Sequence, residues 1–312
     1  MKVYVTGVCG QLGHDVMNEL AHRGHEGIGS DLTPTYNGAQ DGSAVCTMPY
    51  EQLDITDEAA VRKSLLRAQP DAVIHCAAWT AVDAAEELEN QAKVHAINAD
   101  STRYIAQICR ELGCKLMYIS TDYVFDGQGE DPWQPDCKDY APLNVYGQTK
   151  LEGELAVREL LTKYFIVRIA WVFGLSGNNF IRTMLRLGQT HSILRVVSDQ
   201  VGTPTYTLDL ARLLVDMIET DKYGTYHATN EGYCSWYEFA REIMRLGHLP
   251  AKIHPVATAD YPSPAARPLN SRLSKESLDE AGFPRLPHWK DALQRYLSEL
   301  AIAEEEGVLK AF

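Results

Sequence analysis

Short apolar runs of three to seven residues alternate with longer stretches of helical periodicity along the first 170 residues. The runs are Lys2–Thr6, Glu26–Ser30, Leu53–Ile55, Ala72–Ala78, Lys115–Ile119 and Phe165–Ile169. Between them, stretches from about Gln11, Asp57 to Arg67, Gln91 to Leu112, and one around Tyr146 repeat apolar residues at three- and four-residue spacing, as amphipathic helices do. Strands alternating with helices predict a parallel, doubly wound α/β sheet. Thr33 to Pro49, rich in Gly, Pro, Asn and Thr, reads as a variable loop. Past residue 170 the alternation loosens. A helix is expected from Asn178–Phe180 to Leu187, a strand at Ile193–Val197, and helices at Leu208–Glu219 and from Ser235 to Leu246. Residues 1–170 are thus expected to form a Rossmann-like domain. Residues 171–312 are expected to form mainly a smaller substrate-binding lobe, with some segments returning to the first domain. The tail, Trp289 to Phe312, reads as a closing helix with a solvated acidic run, Glu304–Glu306.

Composition narrows the function. A net charge of −13 argues against broad nucleic-acid binding, which needs a basic surface. No apolar run approaches the ~18 residues of a membrane span. The seven cysteines include no C-x-x-C pair and the ten histidines no H-E-x-x-H, so neither a disulfide framework nor a metal site is expected. The opening residues read as a strand and lack a secretory hydrophobic region, and a reducing cytoplasm is the expected location.

Three stretches carry candidate chemistry. Gly7, Gly10 and Gly13 follow the first strand at three-residue spacing. Glycines there suit a tight turn whose amides, with those of Gln11 and Leu12, meet a pyrophosphate at a helix N-terminus. Asp31 closes the second strand where a ribose-binding acid is expected. No Lys or Arg occurs between Glu26 and Glu51 to welcome a 2′-phosphate, so NADH is the expected cofactor and NADPH the alternative. Asp54, at the third strand, could reach the adenine or could cap a helix, as could Asp57. Ala77 and Ala78 end the fourth strand with room for a flat ligand. Last, Tyr146 and Lys150 stand four apart, on one face of a helix. An ammonium beside a phenol would favour its ionised form and make it a proton donor or acceptor. The same spacing also fits an ordinary amphipathic helix.

The glycine turn, strand-end Thr121 and Tyr146-x-x-x-Lys150 resemble the extended short-chain dehydrogenase/reductases. Further segments are similar to the dTDP-4-dehydrorhamnose reductase family: Ala77–Asp83, Ser120–Phe125, Pro142–Gly147, Gly177–Phe180, Asp199–Thr205 and Ala266–Ser271. The resemblance implies reduction of a nucleotide-sugar C4 ketone to give dTDP-L-rhamnose. Tyr146 would be the proton donor, Thr121 a hydrogen-bond donor to the same oxygen, and Lys150 the holder of the nicotinamide ribose that depresses the Tyr146 pKa. It places Gly10, Gln11, Leu12, Asp31, Asp54 and Ile55 along the adenosine and pyrophosphate. Ala78, Trp79 and Thr80 fall near the nicotinamide, and Thr121, Asp122 and Trp171 face the sugar. Asn179 belongs to the same substrate-side set. Trp79 replaces the small residue or histidine common in the family. Arg267 supplies a fork-like cation for the substrate pyrophosphate, or else a surface salt bridge. A homodimer is a further expectation. Two other functions share the fold: a nucleotide-sugar dehydratase or epimerase, and a non-catalytic regulatory subunit like that of methionine adenosyltransferase. Tyr123 stands where the dehydratases carry a second acid, which favours simple reduction.

Overall fold

In the computed structural model, which describes residues 1–308, the apolar runs become β1 (Lys2–Thr6), β2 (Glu26–Asp31), β3 (Tyr50–Gln52), β4 (Ala72–His75), β5 (Lys115–Thr121) and β6 (Tyr164–Ile169). With the strand Gly224–His227 they form a seven-stranded sheet. Its order is Gly224–His227, β6, β5, β4, β1, β2, β3, and every pairing is parallel. Strand order reverses between β1 and β4, the switch point at which such sheets bind ligands beyond their carboxyl ends. Helices cover both faces. One apolar core contains Val3, Val5, Met117, Val167 and Leu214, and the other contains Tyr4, Val73, Leu116 and Ile166. Neighbouring residues of one strand serve opposite faces, as strand pleating requires.

Two elements differ from the pattern reading. The third strand ends at Gln52 rather than running through Ile55. Leu53 N–H still bonds the Asp31 carbonyl at 2.8 Å, but Asp54 then folds its carboxylate onto the Thr56 N–H (2.9 Å) and hydroxyl (2.7 Å). That local turn competes with the ladder and stops it. Asp57 caps the helix Glu58–Ala68 by accepting from Ala60 N–H at 3.0 Å. The long helix expected at Gln91–Leu112 starts at Leu88 and is interrupted by a widened π-turn, Ala96–Asp100. Such turns are frequent at functional sites, and this one contains the buried Asn98.

A third core gathers Phe173, Ile181, Tyr206, Phe239, Ile243, Trp289 and Tyr296. It is built from the helices Phe180–Thr190 and Trp236–Leu246 and the closing helix Trp289–Glu305. Ser235 starts the middle one with a reciprocal capping box to Glu238. Ile193–Val197 pairs in parallel with Lys252–Val256. Thr207–Ile218, by contrast, packs on the helix Gln11–His22, and Gly224–His227 extends the main sheet. The acidic run lies at the end of the closing helix, and the expected continuation to Phe312 falls outside the described residues. Among the described residues no helix is long and apolar enough to cross a membrane, and no group of His, Cys, Asp and Glu is arranged to hold a metal.

Candidate active site

At the carboxyl end of β1 the chain turns through Gly7, whose φ of +74° is left-handed backbone that favours glycine. A Cβ at Gly7 would stand 2.7 Å from the Ala77 nitrogen, so the turn and the end of β4 touch backbone to backbone. Gly10 is the N-cap of the helix Gln11–His22 and offers no side chain to its first amides. The helix therefore presents bare N–H groups, with Leu12 and Gly13 in its first turn, at the sheet's switch point. Gln11 turns aside: its amide oxygen accepts from Gly174 N–H at 2.8 Å and from Asn179 Nδ2 at 3.0 Å.

Asp31 stands beside this turn. Its carboxylate accepts from Cys9 N–H at 2.9 Å and Leu32 N–H at 2.8 Å, one bond per oxygen. Each oxygen keeps a lone pair for a hydroxyl, and the acid is held in place. Asp54 is exposed and Ile55 buried just beyond β3.

On the other side of the switch point, Ala77 N–H donates to the Thr6 hydroxyl at 3.2 Å, and Thr6 Oγ1 lies 2.7 Å from His75 Nδ1. Asn98 grips the next residues: Trp79 N–H donates to its oxygen at 2.8 Å, and its Nδ2 donates to the Trp79 carbonyl at 3.2 Å and to Thr149 Oγ1 at 3.1 Å. One amide thus ties the Ala77–Thr80 turn to the helix carrying Tyr146 and Lys150. Trp79 swings its indole away, donating to the Ala81 carbonyl at 3.0 Å.

That helix, Val145–Leu160, begins at Asn144, whose side chain accepts from Gly147 N–H at 2.8 Å. A Cβ at Gly147 would lie 2.3 Å from the Tyr123 carbonyl oxygen, so glycine lets the first helical turn press against the turn that follows β5. Tyr146 and Thr121 are brought together in consequence. The Thr121 hydroxyl stands close enough to the Tyr146 phenol to favour its ionised form, and Tyr123 packs edge-on to its ring at 5.6 Å. Burial outweighs this and pushes the phenol up to about 12, although the residue keeps partial solvent access.

Lys150 does not do what the spacing alone implies. Its ammonium donates to the Ile119 carbonyl at 2.7 Å and lies 4.2 Å from the centre of the Tyr118 ring. It is buried beneath β5 rather than beside the phenol, and burial brings its pKa down to about 7 against the opposing pull of Glu154. The expected depression of the Tyr146 pKa by Lys150 is therefore absent. Helical proximity decides which residues share a face, and hydrogen bonding decides where a long side chain ends.

Asp122, 3% exposed, accepts from the Thr121 hydroxyl at 3.2 Å and leaves its second oxygen without a partner. Burial raises its pKa to about 7. For an acid raised in this way, the stabilising contribution is complete below about pH 4, the unfolded value, and is lost as pH rises through about 7. Asp122→Asn should therefore raise the unfolding free energy at pH 8 by up to about 4 kcal/mol and leave it little changed at pH 4. Denaturant unfolding at the two pH values measures this, and an equal effect at both would contradict it.

Trp171 follows β6 with a left-handed φ of +50°, unusual for a bulky residue, and stacks on Trp236 at 3.8 Å. Such strain marks sites where the surroundings over-determine the backbone. Two expected sugar-side residues are engaged elsewhere. Asn179 caps the helix Phe180–Thr190 through Arg182 N–H (3.0 Å), and its Nδ2 lies 3.0 Å from each of Gln11 Oε1, the Gly174 carbonyl and Tyr296 OH. It clasps the glycine turn rather than presenting a free amide to a sugar. Arg267 forms a two-pronged ion pair with Asp83, at 3.0 and 2.6 Å. The pair is half-buried and holds the Asp83 carboxyl below its usual range. The adjacent Ala266 carbonyl accepts from Asn144 Nδ2 at 2.8 Å, which links this loop to the cap of the Tyr146 helix.

Asn98, Asp83 and His75 lie within stretches that the sequence reading singled out, but it gave none of them a role. Asn98 and Asp83 act through backbone or charge partners distant in sequence, for which no local pattern exists. His75 could have been noticed as a polar residue inside an apolar run.

The fold defines a doubly wound domain of short-chain dehydrogenase/reductase type. The RmlD substrate binding domain family matches residues 1–302, and the chain belongs to it. Among its relatives, the dTDP-4-dehydrorhamnose reductase of Streptomyces griseus is 42% identical over 85% of this chain and 88% of its own. The spore coat polysaccharide biosynthesis protein SpsK of Bacillus subtilis is 39% identical over 97% and 99%. The crystal structure of dTDP-4-dehydrorhamnose reductase from Bacillus anthracis in complex with NADP superposes with a TM-score of 0.86 at 38% identity, over 96% of this chain and 99% of that one.

Proposed function

We propose that the protein is an NAD(P)H-dependent dTDP-4-dehydrorhamnose reductase that converts the C4 ketone of its sugar nucleotide to the alcohol of dTDP-L-rhamnose. The observation that carries the reading is the Thr121–Tyr146 hydroxyl pair at the carboxyl end of β5, one strand from the switch point and adjoining the buried Lys150. The relatives' names support the substrate.

The residues present fit a dinucleotide. The Gly7 turn leaves no room for a Cβ and the helix behind Gly10 starts uncapped, as a pyrophosphate cradle requires. Gly10, Gln11, Leu12 and Gly13 would line the phosphates, Asp31 the adenosine ribose, and Ala77, Ala78, Trp79 and Thr80 the nicotinamide side. A reduced nicotinamide supplies a hydride.

The chain's own groups handle the oxygen. Reduction of a ketone builds negative charge there, which needs donors and a proton. Tyr146 gives its phenolic proton to the C4 oxygen. A phenol pushed up to about 12 is fully protonated at neutral pH, so the proton is present when needed. Thr121 donates a hydrogen bond to the same oxygen. Lys150 holds the nicotinamide ribose and places a cation beneath the site. Asp122 and Trp171 face the sugar. For Arg267 to hold the substrate pyrophosphate it must exchange Asp83 for the phosphates, and charge-assisted pairs of either kind suit its fork. Residues 171–312 would mainly supply the substrate side, and residues 1–170 the cofactor side.

The test is turnover by the purified protein with dTDP-4-dehydrorhamnose and NADH or NADPH. Cofactor oxidation with dTDP-L-rhamnose formed is the expected result, and cofactor binding without oxidation would favour a regulatory role. Asp31→Ala should weaken NADH binding about tenfold, roughly 1.4 kcal/mol, and narrow a preference for NADH over NADPH. Fluorescence titration with both cofactors decides it. A wild type that binds NADPH far more tightly would contradict the role given to Asp31.

A further inference from the structure

Directly behind the site lies a charge cluster that the chemistry above does not use. Glu154 and Arg168 are both fully buried, and their fork is closed at both ends: Nε to Oε1 and Nη2 to Oε2, each 2.8 Å. Glu154 is four residues past Lys150 and eight past Tyr146, on the same helix face. The Ser120 hydroxyl donates to Glu154 Oε1 at 2.6 Å, and Ser120 is the residue before Thr121. Arg168 is the penultimate residue of β6, paired with Ser120 of β5 in the sheet, and its remaining donors reach the Pro135 carbonyl (3.3 Å), Tyr140 OH (3.2 Å) and His227 Nε2 (3.3 Å). Arg158 adds a second cation to Glu154 at 3.1 Å.

The two groups that must converge on the C4 oxygen sit on different elements: Thr121 on the strand and Tyr146 on the helix. Glu154 bonds both the strand's penultimate residue and a group anchored in the sheet. We propose that the Glu154–Arg168 pair is a positioning device for the reaction: through Ser120 it sets where Thr121 stands relative to Tyr146, and it places an anion one helical turn from Lys150. The inference rests on the reductase reading. Buried ion pairs seldom add net stability but do fix one arrangement among several, which is the property an oxygen clamp needs. Misplacement by about an ångström can cost on the order of a hundredfold in rate.

Lys150 is faced by Glu154 on its own helix, by His75 and Cys76 at the end of β4, and by the ring of Tyr118 on β5. Among these the Glu154 carboxylate is the anion. Burial draws the ammonium's pKa down to about 7, and Glu154 opposes the fall. Glu154→Gln keeps the shape and removes the charge. It should lower kcat about tenfold or more and move the alkaline limb of the kcat profile to lower pH, with NADH affinity at pH 6 within about threefold of wild type. The pH midpoint of NADH binding should move the same way, a readout that does not depend on turnover. Ser120→Ala, which removes only the strand-side hydroxyl and keeps the pair, should lower kcat about fivefold without moving either midpoint. It serves where Glu154→Gln fails to fold. A wild type that binds NADH but reduces no sugar would refute the reductase reading while the binding midpoint still decides the role of Glu154. Unchanged kcat in Ser120→Ala, or Glu154→Gln with both midpoints in place, would overturn the proposal.

Discussion

Tyr146→Phe is expected to lower kcat about 10²–10⁴-fold, the usual worth of a positioned general acid. The substitution removes one oxygen and leaves the ring, so the edge-on packing with Tyr123 survives. Dinucleotide binding depends on the Gly7 turn, Asp31 and the Ala77–Thr80 turn, none of which the phenol holds in place. Cofactor affinity should therefore change little, and the loss should appear in kcat rather than in the cofactor KM. The residual rate belongs to Thr121, which still donates to the oxygen, and to the cation of Lys150. Steady-state kinetics with both substrates varied measures this. Turnover near that of the wild type would remove Tyr146 from its role.

Arg168→Met is expected to destabilise the protein by about 3 kcal/mol, the lower end of what breaking a buried ion pair costs. The mutation leaves Glu154 fully buried, and Arg158, already 3.1 Å away, offsets part of the charge. It also strips the Pro135 carbonyl, Tyr140 and His227 of a donor. Adding Glu154→Gln to Arg168→Met should recover part of the loss, because the stranded carboxylate is what the single mutant cannot accommodate. Urea unfolding of the wild type, the two single mutants and the double mutant closes the cycle. A double mutant as unstable as the sum of its parts would show that the two groups do not act as a pair.

The sheet was legible because β1, β2, β4, β5 and β6 are buried on both faces, and such strands read as continuous apolar runs. The seventh strand, Gly224–His227, was missed: four residues with glycine at the start carry too little periodicity to be seen. The glycine turn, Asp31, Thr121 and the Tyr146–Lys150 pair were legible because each lies at a strand end or helix start where local chemistry is constrained. The side-chain partners were not. The Lys150 ammonium goes to the Ile119 carbonyl, Arg267 to Asp83 and Asn179 to Gln11, and each choice depends on a residue between 31 and 184 positions away. Glu154 and Arg168 left a signal that could have been used. An arginine inside the apolar run Phe165–Ile169 must have a buried partner. A glutamate one turn beyond Lys150 on the same helix face was a candidate for it. The interruption at Ala96–Asp100 left none, since Asn98 within it bonds a backbone 19 residues earlier.

The central claim is that Thr121 and Tyr146 receive a sugar C4 oxygen while hydride arrives at that carbon. The most direct measurement follows the hydride itself: NADH carrying deuterium at nicotinamide C4 is incubated with the protein and dTDP-4-dehydrorhamnose, and the sugar nucleotide is analysed by NMR and mass spectrometry. The predicted result is dTDP-L-rhamnose with one deuterium at C4. Product without deuterium at that carbon, or deuterated cofactor that binds and is never consumed, would contradict it.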